Sequence, residues 1–128
     1  VLNLFENFIR FIGKNSFYGT LIKIDNKLMS QKIEYLEMCA FCGIREKQEA
    51  LNLENNLLTS LKDSIFFDLE NITTLILNNN KISYIEDHAL NNLKNLKTLE
   101  LNFNLLNRIN NIILNFLPKL EKLNLNNN

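Results

Sequence analysis

The feature that most constrains this chain is a period. Leu51, Leu75, Leu99 and Leu123 stand 24 residues apart, and Leu53, Leu77, Leu101 and Leu125 follow two residues later in each case. Three residues further on come Asn56, Asn80, Asn104 and Asn128. Leu58, Ile82 and Leu106 continue the pattern, then Leu61, Ile85 and Ile109, and Leu69, Leu93 and Leu117 close each unit. No position in this register carries a charge. A fixed period of this length must be read before local propensity, because it implies stacked copies of one small unit. Helices are a poor alternative: Leu51-Asn52-Leu53 and Leu99-Glu100-Leu101 alternate with period two, where a helix needs 3.6.

Each position has a physical reason. In Leu-x-Leu both side chains fall on one face of an extended strand, so the two leucines enter the interior together. The asparagine comes where the chain leaves the strand and bends inward, and its amide can satisfy the donors and acceptors that the turn strips of partners. Stacked turns then form an asparagine ladder. Leu58, Leu61, Phe66 and Leu69, with their equivalents, fill the remaining interior as the chain returns along the outer side. One unit cannot bury such a row alone, so its neighbours must cover it.

These residues resemble the leucine-rich repeat family, and the 24-residue spacing with an apolar pair such as Ile65-Phe66 is similar to the class common in animal extracellular proteins. The resemblance implies an α/β solenoid, a curved horseshoe segment with a parallel sheet on its concave face and short helical or irregular convex limbs. Three stretches are expected: 1–20 as a partial repeat, 21–47 as a degenerate or irregular repeat, and 48–128 as regular repeats. The regular repeats divide into 48–71, 72–95, 96–119 and a partial 120–128. Leu2, Leu4, Asn7, Ile9, Ile12 and Phe17 repeat the same spacing. The chain thus opens inside a unit and stops at an asparagine position, and it is expected to be a segment of a longer array.

Residues 21–47 hide one further unit, since Leu2 and Leu51 are 49 residues apart. Its strand is placed at Leu21 to Ile24, with Lys27 where asparagine is expected and Ile33 to Ile44 as an extended return limb with a helical tendency. The alternative, a strand through Ile33, Leu36 and Met38, fits the leucine positions better but leaves too few residues to cover the outer side.

The chain has 14 basic and 14 acidic side chains, spread along its length, so no field exists to concentrate nucleic acid or an anionic membrane. Apolar runs such as Ile112 to Leu114 fall far short of the roughly 20 residues that cross a bilayer, and no membrane insertion is expected within this segment. Asparagine is abundant and Trp absent; asparagine ladders account for this, and so does a genome rich in A and T. Asn71-Ile72-Thr73 is the one glycosylation acceptor, in a chain whose asparagine content alone would supply about two by chance.

Chemistry finds little support. Cys39 and Cys42 form a Cys-x-x-Cys, which is half of a zinc site, and the sole histidine, His88, falls on the outer limb of another unit. Core thiols or a local disulfide are the plainer readings. The family's extracellular members often carry a cysteine-rich cap, but a repeat-like segment precedes this pair. His88 has no nucleophile to serve, and the three glycines, Gly13, Gly19 and Gly43, are scattered rather than gathered in a phosphate loop. No catalytic, cofactor or metal site is expected, and no enzyme activity.

Parallel strands stack about 4.8 Å apart, while bulkier outer limbs stack further apart, so the array curves with its sheet inward. Side chains between and just after the buried leucines face outward there. Asn52, Glu54, Thr74, Ile76, Asn78, Thr98, Glu100, Asn102 and Phe103 are the expected partner-binding set. Ile76 and Phe103 are the apolar members among polar neighbours, and Phe103 is the leading contact. The expected function is binding of another protein, as part of an extracellular or cell-surface molecule. An intracellular regulatory or docking subunit of an enzyme complex and a structural spacer are the alternatives.

Overall fold

The structure, a computed structural model, describes residues 4, 7–25 and 27–128, so Leu2 of the expected first unit lies outside it. The chain winds as a solenoid of parallel strands. The principal sheet holds β3 (Ala50–Asn52), β5 (Thr74–Ile76), β7 (Thr98–Glu100) and β8 (Lys122–Asn124), in that spatial order. Its register is the sequence period itself: Leu51 pairs with Leu75, Leu75 with Leu99, and Leu99 with Leu123. Two smaller parallel pairs lie on the limb beyond the asparagine turn: β1 (Phe11–Ile12) with β2 (Tyr35–Leu36), and β4 (Ser60–Leu61) with β6 (Tyr84–Ile85). Among the described residues α1 (Asn111–Asn115) is the only α-helix, capped by the Asn110 side chain accepting from the Ile112 N–H. The return limbs are otherwise turns.

Leu51, Leu53, Leu75, Leu77, Leu99 and Leu101 are all buried, and the limb residues Leu58, Leu61, Phe66, Leu69, Ile82, Leu90 and Leu93 close over them in one continuous core. Each such leucine contributes roughly 1.5–3 kcal/mol by leaving water. A stack of rings runs through the return side: Phe17 lies 5.8 Å from Phe41 and Phe41 6.2 Å from Phe66, nearly parallel, before Leu90 takes the next place.

The asparagine ladder is built as the turn chemistry requires. Asn80 Nδ2 donates to the carbonyls of Leu77 in its own turn and Leu53 in the preceding one, while its Oδ1 accepts the Leu58 N–H. Asn104 repeats this one unit later with Leu101, Leu77 and Ile82. Asn56, Asn80 and Asn104 are buried polar side chains with every unit's turn depending on its neighbour's amide.

The irregular unit differs from its sequence reading. Leu21 to Ile24 forms no strand, and Leu21 is exposed while Ile24 and Leu28 are buried. The ladder position is filled by Gln31, not Lys27: Gln31 Nε2 donates to the Leu4 and Met29 carbonyls, and Asn56 Oδ1 accepts the Gln31 N–H. Glutamine is one methylene longer and still reaches both turns, though its Oε1 finds no partner among the described residues. The limb from Ile33 to Ile44 is not helical; it contains β2 and turns. Leu4 and Leu28 are 24 residues apart but Leu28 and Leu53 are 25. Phe41 and Ile44 match Phe66 and Leu69 at 25, whereas Gln48 matches Ile72 at 24, so the extra residue lies between Ile44 and Gln48.

Cys39 and Cys42 form a disulfide across the turn after β2, with Cα atoms 4.9 Å apart. Of the two readings of this pair, the local disulfide is the one found.

Candidate functional site

The outward face of the principal sheet collects the expected residues into rows. Ala50, Thr74, Thr98 and Lys122 form one row by strand pairing, and Asn52, Ile76, Glu100 and Asn124 form the next. Beyond the strand ends a third row contains Asn78, Asn102 and Asn126. It makes a second ladder: Asn78 Oδ1 accepts the Asn102 N–H at 2.8 Å, and Asn102 Oδ1 accepts the Asn126 N–H at 2.9 Å. The asparagine content of this chain therefore has a structural use at two positions per unit.

Thr74, Ile76, Asn78, Thr98, Glu100 and Asn102 are half-buried, as is Glu54, whose carboxylate accepts from Asn79 Nδ2. Asn52 departs from expectation. It is only 6% exposed, its Oδ1 accepts the Glu54 N–H, and its Nδ2 reaches Met29 Sδ, so the irregular unit covers it. It is unavailable as a contact. Misplacing the register of residues 21–47 hid this, because Met29 then had no assigned position over the sheet.

Glu100 is the electrostatic centre of the face. Burial pushes its carboxyl upward, but Lys122 Nζ at 2.8 Å and the amides of Asn124 and Asn102 outweigh it and hold the group below the ordinary glutamate range. Its charge is compensated by the Lys122 ammonium beside it.

Phe103, the leading contact of the sequence reading, occupies a position whose backbone conformation that reading did not anticipate. Asn55, Asn79, Phe103 and Asn127 are successive equivalents, and all four have left-handed backbone, with φ of 56°, 54°, 55° and 58°. Asparagine tolerates this conformation; a bulky side chain pays roughly 1–2 kcal/mol through its Cβ. Phe103 is nevertheless 55% exposed, so packing against the fold does not explain its presence. Leu105, two residues on, is exposed as well. The signal could have been found in the sequence as the single bulky apolar residue in a column otherwise held by Ser30, Asn55, Asn79 and Asn127.

With this geometry in place, comparison with known proteins decides the family. Residues 49–106 and 70–128 match the family model described as Leucine rich repeat, together spanning 49–128, or 80 of 128 residues. This chain belongs to the leucine-rich repeat family. The solved structures similar to this leucine-rich repeat segment include the Drosophila Toll–Spatzle complex in its glycosylated form. That chain is 27% identical with a TM-score of 0.65, and the match covers 74% of the present chain and 14% of the other. The segment therefore spans about one-seventh of that protein's length. No curated protein sequence matches it.

A stacked leucine-rich repeat array of this kind is a protein-interaction module. Among the described residues no group of three His, Cys, Asp or Glu side chains is placed to hold a metal ion, and no helix is long and apolar enough to cross a membrane. His88 lies exposed on the outer limb, 3.7 Å from Asp63 and against the Phe116 ring.

Proposed function

We propose that this segment belongs to an extracellular or cell-surface protein and grips a partner protein on its principal sheet, with Phe103 as the central anchor. The observation that carries this is the conformation of Phe103. A fold selected for stability alone would keep asparagine there, as it does at Asn55, Asn79 and Asn127. An exposed aromatic retained at a backbone cost is accounted for by a contact outside the chain. Ile76, Thr98, Glu100 and Asn102 form its polar and half-apolar surround. The local disulfide supports an oxidising compartment, and the likeness to a Toll structure solved with Spatzle supports a protein ligand.

The test separates stability from binding in one substitution. Phe103→Asn should raise folding stability by about 1 kcal/mol by relieving the backbone, and should reduce partner capture at least tenfold in a pull-down with the protein's own extracellular material. A variant that melts higher and still captures the partner at wild-type strength would refute the anchor.

A further inference from the structure

We propose that Asn71 carries an N-linked oligosaccharide, at a position where its amide has no hydrogen-bond partner among the described residues. The proposal rests on the extracellular reading above but on different residues. Asn71 and Asn95 occupy the same place in consecutive units, in the turns that lead into β5 and β7. The Asn95 amide straps its unit to both neighbours: Nδ2 donates to the Glu70 carbonyl at 2.9 Å, and Oδ1 accepts from Lys119 Nζ at 2.6 Å. The corresponding carbonyl for Asn71 is that of Glu46, 24 residues before Glu70. Gln48 Nε2 already donates to it, at 2.7 Å.

The extra residue between Ile44 and Gln48 thus has a chemical consequence. Asn71 makes no hydrogen bond among the described residues, is partly exposed, and lines a cleft of about 290 Å³ between residues 44–48 and 68–71. It begins the tripeptide Asn71-Ile72-Thr73, the acceptor pattern for N-glycosylation. Ile72 is fully buried and pins the turn, and the Thr73 hydroxyl donates to the Glu49 carbonyl. In the transfer, Asn71 Nδ2 forms a bond to the anomeric carbon of an oligosaccharide carried on a polyprenyl pyrophosphate. The bond from that carbon to the pyrophosphate oxygen breaks, the lipid pyrophosphate leaves with the electron pair, and Nδ2 gives up one proton. A glycan at Asn71 displaces no hydrogen bond made among the described residues, whereas one at Asn95 would replace a hydrogen of the Nδ2 that donates to the Glu70 carbonyl and crowd the Lys119 ammonium held on the same amide. Asn71 precedes β5 while Phe103 follows β7, so sugar and anchor stand at opposite ends of the strands. The rim beside Phe103 stays open to a partner.

The whole chain, secreted from insect cells behind a signal sequence, provides the test by intact mass before and after peptide N-glycosidase. The enzyme should remove mass and convert Asn71 to aspartate; Asn71→Gln and Thr73→Ala should abolish the change, and Thr73→Ser should preserve it. Removing the glycan should leave the melting temperature unchanged. Lys97→Thr, which makes Asn95 a second acceptor, should give a glycoform that melts below Lys97→Ala. Secreted protein with an unmodified Asn71 overturns the proposal, as does equal destabilisation by glycans at the two positions. Either result leaves the Phe103 capture assay standing. Finding the protein in the cytoplasm of its source cells overturns the extracellular reading and the native glycan together, whereas an unmodified Asn71 on secreted protein overturns the glycan alone.

Discussion

The units from Gln48 onward and the unit before them meet the same demand with different residues. In the regular units each turn is closed by an asparagine whose carbonyl oxygen and amide are both used, and the sheet pairs leucine on leucine at a constant 24. In the earlier unit Gln31 spans the same two turns with its Oε1 unpartnered among the described residues, Leu21 to Ile24 forms no strand, and a disulfide ties the limb after β2. The difference teaches that the ladder position tolerates a longer amide, and that the neighbouring turns still meet across it, with the Asn52 N–H on the Asp25 carbonyl and the Ser30 N–H on the Glu54 carbonyl. The two smaller strand pairs make the same point: β1 with β2 and β4 with β6 each keep a spacing of 24, and the residue excess falls between them.

That contrast can be broken most severely from the inside. Leu101→Asp puts an unpaired charge into the shared leucine row and should cost about 5 kcal/mol, enough to abolish the folded circular dichroism spectrum. Glu100→Ala, one residue away on the outer face, should leave the spectrum intact. Equal damage from both would mean that the inner and outer faces have been exchanged. A smaller effect compares the two ladder chemistries directly. Asn80→Ala strands the buried Leu58 N–H and takes one of two amide donors from each of the Leu53 and Leu77 carbonyls, and should cost about 2–3 kcal/mol in chemical denaturation. Gln31→Ala, which removes a side chain whose Oε1 has no partner among the described residues, should cost about 1 kcal/mol. A reversed order would show the irregular unit to be the stronger part of the array.

The smallest effect is electrostatic and belongs to the regular units alone. Glu100 titrates lower in the folded chain than when unfolded, so its contribution is fully present above the ordinary glutamate pKa of about 4.3 and is lost as pH falls through the lower folded value. Melting temperature should therefore decline at acid pH, and Glu100→Gln should flatten part of that decline. An unchanged acid limb in the variant would assign the loss to other carboxylates.

Most of this architecture was legible because period and chemistry agree: the leucine pair, the asparagine and the limb positions recur in phase, and each has a role that only stacking fulfils. The irregular unit was not legible. Gln31 sits four residues past Lys27, and nothing local marks a glutamine as the functional equivalent of asparagine when its partners, the Leu4 carbonyl and Asn56, are over 20 residues away. The burial of Asn52 failed for the same reason, since it depends on where Met29 lies. For the binding face, sequence supplied the outward rows but not the left-handed conformation at Phe103. That angle is imposed by the turn shared with Asn55, Asn79 and Asn127, and it is visible only once the four residues are aligned as a column.

The ladder of amides also sets how a chain of this kind can change in length. Every rung serves the turn behind it, so a whole block of two dozen residues can be gained or lost and the rungs still meet, while a stray single-residue insertion near the strand would break contact with both neighbours. The limb between Ile44 and Gln48 absorbs such an insertion at the cost of one local strap, leaving the rungs at Gln31, Asn56 and Asn80 in reach of each other. Evolutionary drift in repeat length is thereby steered away from the sheet and onto the outer side.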